Sequence, residues 1–206
     1  MTISKYRSIN SFTRGPKKNI PGISITASSL HFEWEGFRVN LLDTPGHQDF
    51  SEDTYRALTA ADSALMLLDN RKGVEEQTRK LFAVCKRRRL PIVTFVNKCD
   101  REGADPLQLL DDVARDLDIT CHAATWPARR DGRMVGACDR LTGLVHVFPR
   151  MSDHGQTRAE ATVVPLSDPR VEELLGEACA VQLREDLHFL DEVGSAWDAE
   201  AVAEGR

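Results

Sequence analysis

Two short runs hold most of the residues that could do chemistry. Asp43-Thr44-Pro45-Gly46-His47 follows the apolar stretch from Phe37 to Leu42, and Asn97-Lys98-Cys99-Asp100 closes the apolar stretch from Ile92 to Val96. A carboxylate at the carboxyl end of a strand offers the hard oxygen that Mg²⁺ prefers. Gly46 carries no side chain, so its backbone N–H can approach a terminal phosphate closely. His47 then projects from the turn towards the water that attacks that phosphate, a task that needs position more than basicity. In the second run, the two acceptors of Asp100 match the N1–H and exocyclic amino donors of guanine. Adenine lacks that donor pair, so a site built on this carboxylate rejects it. Asn97 can bridge neighbouring loops and the base, and the Lys98 stem can lie over the purine face. Plainer readings exist for both runs: Asp-Thr-Pro-Gly is a good β-turn sequence, and Asn and Asp are ordinary turn and capping residues. Position favours the chemical reading, because each run ends a hydrophobic strand pattern.

The surrounding elements must hold these runs in place. "LHFEW" and "FRVNLLD" flank Glu35-Gly36 as a hairpin, and Phe50, Thr54, Ala57, Leu58 and Ala61 recur at helical spacing. "SALMLLD" is a continuous apolar run of the kind found in strands covered on both faces. A helix is predicted from Val74 to about Arg88, burying Val74, Leu81, Phe82 and Cys85, with Lys86 to Arg89 suiting the dipole of its last turn. Pro91 stops it, and "IVTFVN" forms the next strand. Asp105-Pro106 opens a third helix with Leu109, Leu110, Val113 and Leu117 inward. "HAATWP" reads as a short strand, residues 131–148 as a hairpin insertion turning at Thr142-Gly143, and residues 169–192 as one helix. Strands alternating with helices of this length predict a parallel α/β fold, in which ligands bind beyond the carboxyl ends of the strands.

The totals bound the possibilities. With 206 residues the chain is long enough for a substantial core, and its net charge of −5 gives no global basic balance for nucleic acid. DNA is therefore not an expected partner, whereas a local contact with RNA stays open. No apolar run approaches a membrane span, so no membrane partner is expected. Five widely spaced cysteines with no CxxC point to a reduced, cytoplasmic chain and away from a zinc site. Residues 1–20 hold five Lys and Arg and no acid, and are expected to be a disordered basic segment preceding a domain over 21–206.

Together the two strand-end runs resemble the magnesium/γ-phosphate turn and the guanine-reading loop of a GTPase domain. The DTPGH form is similar to that of translational GTPases. Gly22-Ile23-Ser24-Ile25-Thr26 resembles the end of their first switch, which implies that Ser24 gives its hydroxyl to Mg²⁺ beside Asp43; Pro21 stands where Arg is usual. "GHQDFSEDTYRALTAAD", "KGVEEQTRKL", "TFVNKCDRE", "TWP" and "CDRLTGLVHVF" resemble the bacterial peptide chain release factor 3 family over roughly residues 20–195. The resemblance implies a three-layer, P-loop-NTPase-like G domain, GTP/GDP and Mg²⁺ as cofactors, and the ribosome and class I release factors as partners. It implies an activity too: GTP hydrolysis during recycling of those factors in translation termination.

One expected part is missing. A GTPase cradles its phosphates with a GxxxxGK[ST] loop, and "TRGPKKN" is a poor substitute, with one glycine and a Pro that removes a donor. The strand before that loop is not represented either. The expected fold is thus a G domain truncated at its first strand. Losing three charge-assisted hydrogen bonds of roughly 1.5–3 kcal/mol each would weaken triphosphate binding by about three orders of magnitude or more. The alternative reading is a non-catalytic remnant, an interaction module without nucleotide turnover.

Overall fold

The computed structural model describes residues 28–34, 36–44, 51–149, 161–194, 198 and 200. The expectations for residues 1–20, for Ser24 and for Pro45, Gly46 and His47 fall outside them. The chain divides into two compact units, residues 1–61 and 62–206.

In the first unit, β1 (Ser28–Trp34) and β2 (Phe37–Asp43) pair antiparallel, from Trp34 opposite Phe37 to Ser28 opposite Asp43. This is the predicted hairpin. Gly36 takes φ +82°, a left-handed backbone that residues with a Cβ adopt at a cost. The helix α1 (Ser51–Ala60) follows, with Thr54 buried as its spacing predicted.

The second unit opens with the parallel pair β3 (Ala64–Asp69) and β4 (Ile92–Asn97), in register from Ala64 beside Ile92 to Asp69 beside Asn97. Between them runs α2 (Glu76–Arg88), starting two residues later than predicted and ending where Arg89 turns left-handed at φ 54°. Next comes α3 (Pro106–Leu117), whose first turn is capped by Asp105: its carboxylate accepts from the N–H groups of Leu107 and Gln108. Leu68 of β3, Phe82 of α2 and Leu109, Val113 and Leu117 of α3 form one core, joined by Met66, Ile92 and Val96. Within each strand these are alternate residues, so one face of the pair is buried.

The other face is not. Leu65 and Leu67 are each 58% exposed, Val93 61% and Phe95 52%, and the register sets Leu65 beside Val93 and Leu67 beside Phe95. This corrects the expectation of a strand covered on both faces. The apolar composition of "ALMLLD" suits two covers, whereas the described residues provide one.

A second core lies between an antiparallel sheet of β5 (Thr125–Arg130), β6 (Arg133–Asp139), β7 (Leu144–Val147) and β8 (Thr162–Pro165), and the helices α4 (Arg170–Leu175) and α5 (Glu177–Val193). Trp126, Cys138, Val145, Val164, Leu175 and Leu183 are buried there. The predicted hairpin at Thr142-Gly143 is β6–β7. The "TWP" strand pairs with it antiparallel rather than extending the parallel pair, because only Asp131 and Gly132 link β5 to β6, too few for a parallel crossover. The single helix predicted for 169–192 is two. Gly176 breaks it at φ +85°, and the Arg130 guanidinium bonds the carbonyl of Leu175 at the break. Apolar periodicity runs straight through the break, so spacing alone hides it. No helix among the described residues is long and apolar enough to cross a membrane.

The open apolar face predicts binding of the dye ANS by the isolated chain. Replacing Leu67 and Phe95 together by Ser should cut dye emission at least by half. Because both are surface changes, stability should move by only about ±0.5 kcal/mol each. Emission unchanged in the double variant would contradict this account of the face.

Candidate functional site

The parallel register brings the carboxyl ends of β3 and β4 side by side, and the loops leaving them are tied together there. Asn70, the first residue after β3, is 7% exposed. Its backbone N–H donates to the Asn97 carbonyl at 3.0 Å, and its own carbonyl accepts from the Ala104 N–H at 3.0 Å. Its side-chain amide donates to the Arg101 carbonyl at 3.2 Å. One buried residue thus holds both ends and the middle of the 97–104 loop. A buried amide is retained only when its hydrogen bonds are made, so this loop has little freedom to rearrange around it. Gly103 makes room: a Cβ there would lie 1.9 Å from Asn70 Nδ2. From the opposite side, the Arg129 guanidinium donates to the carbonyls of Ala104 at 2.9 Å and Gly132 at 2.8 Å, and the Met134 N–H donates to the Cys99 carbonyl at 3.0 Å.

On that frame sit the four predicted residues of the second run. Asn97 Oδ1 accepts from the Lys98 N–H at 2.8 Å, fixing the start of the turn, and the Arg101 N–H closes it on the Lys98 carbonyl at 3.1 Å. Lys98 adopts φ +64°. Its ammonium donates to Asp69 Oδ2 at 2.7 Å, while Asp69 Oδ1 accepts from the Arg71 N–H at 2.9 Å. The bond from Lys98, backed by that from Arg71, holds the Asp69 carboxyl down at about 2. Cys99 turns inward, its thiol donating to the Val96 carbonyl at 3.4 Å, and burial pushes that thiol up from its ordinary value. The thiol packs the underside of the loop. The Asp100 side chain is 79% exposed, with Arg101 Nε standing 3.9 Å away, beyond hydrogen-bond reach. Apart from that loose ion pair at Oδ2, the carboxylate faces solvent and is open to donors from a ligand.

Beside the loop lies an open cavity of about 450 Å³ lined by Asp69, Arg71, Lys72, Lys98 and Arg101. Four cations face one acid, so the cavity favours an anionic ligand. Its size is within the range of small-molecule sites. In the first unit, Asp43 ends β2 with an exposed side chain and Thr44 is half-buried. Among the described residues, no three acidic, His or Cys side chains converge as a metal site.

Sequence reasoning missed Asp69, Asn70, Gly103 and Arg129. A signal existed for the first two: "ALMLLD" is a third hydrophobic strand ending in an acid, followed at once by Asn, Arg, Lys and Gly. Nothing in the spacing marks Gly103 or Arg129. The first matters because Asn70, from the loop after another strand, packs against it, and the second reaches this loop from another sheet.

Comparison with known proteins points one way. Residues 5–199 match the family model of the elongation factor Tu GTP binding domain. The chain is similar to peptide chain release factor 3 of Gloeothece citriformis, 51% identical over 90% of this chain and 34% of that protein. It is similar also to peptide chain release factor 3 of Trichodesmium erythraeum, 53% identical over 89% of this chain and 34% of the relative. The chain therefore spans about a third of the length of these curated relatives. A crystal structure of a Thermus thermophilus protein superposes with a TM-score of 0.60 at 26% identity, covering 89% of this chain and 27% of the other.

Two measurements follow from the tie between the strand ends. Gly103→Ala should destabilise the fold by roughly 1–3 kcal/mol, the cost of overpacking, and Asn70→Ala should cost a similar amount by leaving a carbonyl unsatisfied. In the double variant the new methyl fills the space the amide left, so urea denaturation should show a combined loss smaller than the sum by at least ~0.5 kcal/mol. Strict additivity would contradict the contact. The second concerns pH. A carboxyl held at about 2 against an ordinary 3.8 contributes stability that is complete above pH 4 and lost as pH falls towards 2. The groups facing it are Lys98, Arg71, Lys72 and Arg101. The stability difference between the parent and Asp69→Asn should therefore be flat above about pH 4 and shrink only below it. A difference that fades between pH 7 and 5 would contradict the pairing.

Proposed function

Because the chain belongs to the family of elongation factor Tu GTP binding domains, we propose that its Asn97–Asp100 loop reads the guanine base of GTP or GDP. The observation that carries this reading is the Asp100 carboxylate, presented to solvent on a loop whose Asn97 and Lys98 side chains are engaged in holding the turn. A carboxylate so placed suits the paired donors of guanine, and the exposed Lys98 stem at the cavity rim suits the apolar face of a purine. The cationic lining suits the anionic remainder of a nucleotide. Asn97 sets the turn and Cys99 packs beneath it.

In the same reading, Asp43, Thr44, Pro45, Gly46 and His47 serve the terminal phosphate. Mg²⁺ would be held by Asp43 and Ser24, two hard oxygen donors, and would offset negative charge on the phosphates. Gly46 would give its N–H to the γ-phosphate, and His47 would orient the attacking water. The proposed setting is the cytoplasm, on the ribosome, in the recycling of class I release factors after peptide release, the role implied by the family resemblance; the similar proteins are named peptide chain release factor 3. A second reading keeps the base-reading loop and drops turnover, making the chain an interaction module.

Titration with a fluorescent guanine nucleotide and Mg²⁺ tests the base-reading claim. Asp100→Asn should weaken guanine binding about 100-fold or more, since two hydrogen bonds to a charged acceptor are lost or inverted. It should favour xanthine, whose C2 carbonyl accepts where guanine donates. Absence of saturation up to millimolar nucleotide would reject autonomous binding. Ribosome-stimulated phosphate release that His47→Ala abolishes would decide for turnover, and binding with no release would decide for the module.

A further inference from the structure

The most economical arrangement for a lysine beside a cationic cavity would be to extend into water, away from Arg71, Lys72 and Arg101. Lys98 does the opposite. Its backbone is left-handed at φ +64°, a conformation that a residue with a Cβ adopts at a cost, and its ammonium is folded back to the end of the neighbouring strand. We propose that Asp69 is the positioning residue of the guanine-reading loop, tethering the Lys98 ammonium across the strand ends so that the lysine stem lines the cavity and the Asp100 carboxylate stays clear of the lysine. The inference rests on the base-reading function proposed above and adds to it a residue that neither strand-end run contains.

Three observations carry it. First, the parallel register sets Asp69 beside Asn97, so the carboxylate stands next to the residue that precedes Lys98, and the ammonium reaches it at 2.7 Å. Second, Asp69 is itself immobilised. Its side chain accepts from the Arg71 N–H, and its carbonyl accepts from the N–H groups of Lys72 at 3.2 Å and Gly73 at 2.9 Å. Its side chain is 16% exposed, against 49% for Lys98, so the acid is the fixed partner and the lysine the one being held. Third, Lys98 and Asp100 lie on one tight turn closed by the Arg101 N–H on the Lys98 carbonyl. A lysine released from Asp69 would have Asp100 as its next carboxylate along that turn. Pairing there would occupy the acceptors on which base reading depends. Asp69 therefore serves as the alternative counter-ion: it satisfies the lysine and keeps it off the reading carboxylate. The tether persists across the physiological range, because the Asp69 carboxyl ionises at about 2.

The test uses the full chain and a readout that needs no nucleotide. Brief acetylation of lysines followed by mass spectrometry gives a labelling rate for Lys98 relative to Lys72, whose partner Glu75 is unchanged. Asp69→Asn should raise the Lys98 ratio about three- to fivefold, on the scale of an exposed ion pair, and Asp69→Glu should restore it. Titration with fluorescent GDP and Mg²⁺ forms the second arm: Asp69→Asn should weaken binding about tenfold, with Asp69→Glu again recovering most of it. Melting temperatures of the three proteins separate this from general unfolding, which would raise labelling at every lysine together. An unchanged Lys98 ratio in Asp69→Asn overturns the tether whatever the nucleotide does. A raised ratio with unweakened GDP binding overturns the positioning role. If the parent chain binds no GDP but the ratio rises and is rescued, the tether stands and the base-reading function is what fails.

Discussion

Everything at this site depends on the parallel pairing of two short strands and on the buried asparagine whose backbone and side chain tie their outgoing loops together. Parallel strands deliver their carboxyl ends to the same edge, and with Asp69 beside Asn97 the two outgoing loops start within hydrogen-bond reach of one another. Asn70 converts that proximity into a fixed relation, since its three bonds reach the start, middle and end of the 97–104 loop. A neutral amide suits the task better than a charged group. It donates to the Arg101 carbonyl and has no large desolvation cost to offset. With the backbone pinned from beneath, the side chains above are free to be specialised: one lysine tethered, one acid exposed.

The same pairing explains the contrast between the two faces of the strands. Core contacts with α2 and α3 hold one face rigid, which is what a loop carrying a base-reading acid requires. The other face offers Leu65, Leu67, Val93 and Phe95 to solvent in two adjacent rows. The local electrostatics also depart from the chain's average. A protein of net charge −5 gathers four cations and one acid around a single cavity at the strand ends. Global charge says little about where an anion binds; the distribution decides it.

Much of this was legible in the residues. Strand and helix periodicities located β1 to β4 and α1 to α3 to within a few residues, because alternation and 3.6-residue spacing report directly on one-sided burial. Asp105-Pro106 announced a helix start, and its carboxylate caps one. Both chemical runs were visible as polar endings to apolar strands. What escaped was what depends on distant partners. The break at Gly176 is fixed by a left-handed φ and by Arg130 from another element. The exposure of alternate residues in β3 and β4 follows from which neighbours are present, which composition does not encode. Asn70 looks like any loop asparagine until Gly103 and Arg101 are brought against it.

The central claim is that the loop from Asn97 to Asp100, pinned by Asn70, is a guanine-reading surface. Backbone amide NMR of the ¹⁵N-labelled chain, titrated in parallel with Mg²⁺-GDP and Mg²⁺-ADP, addresses it most directly. The account predicts saturable shifts at Lys98, Cys99, Asp100 and Arg101 with GDP and none with ADP, while the Asn70 and Ala104 resonances stay nearly still because the frame beneath does not move. Equal shifts with the two nucleotides, or GDP shifts confined to residues away from this loop, would contradict it.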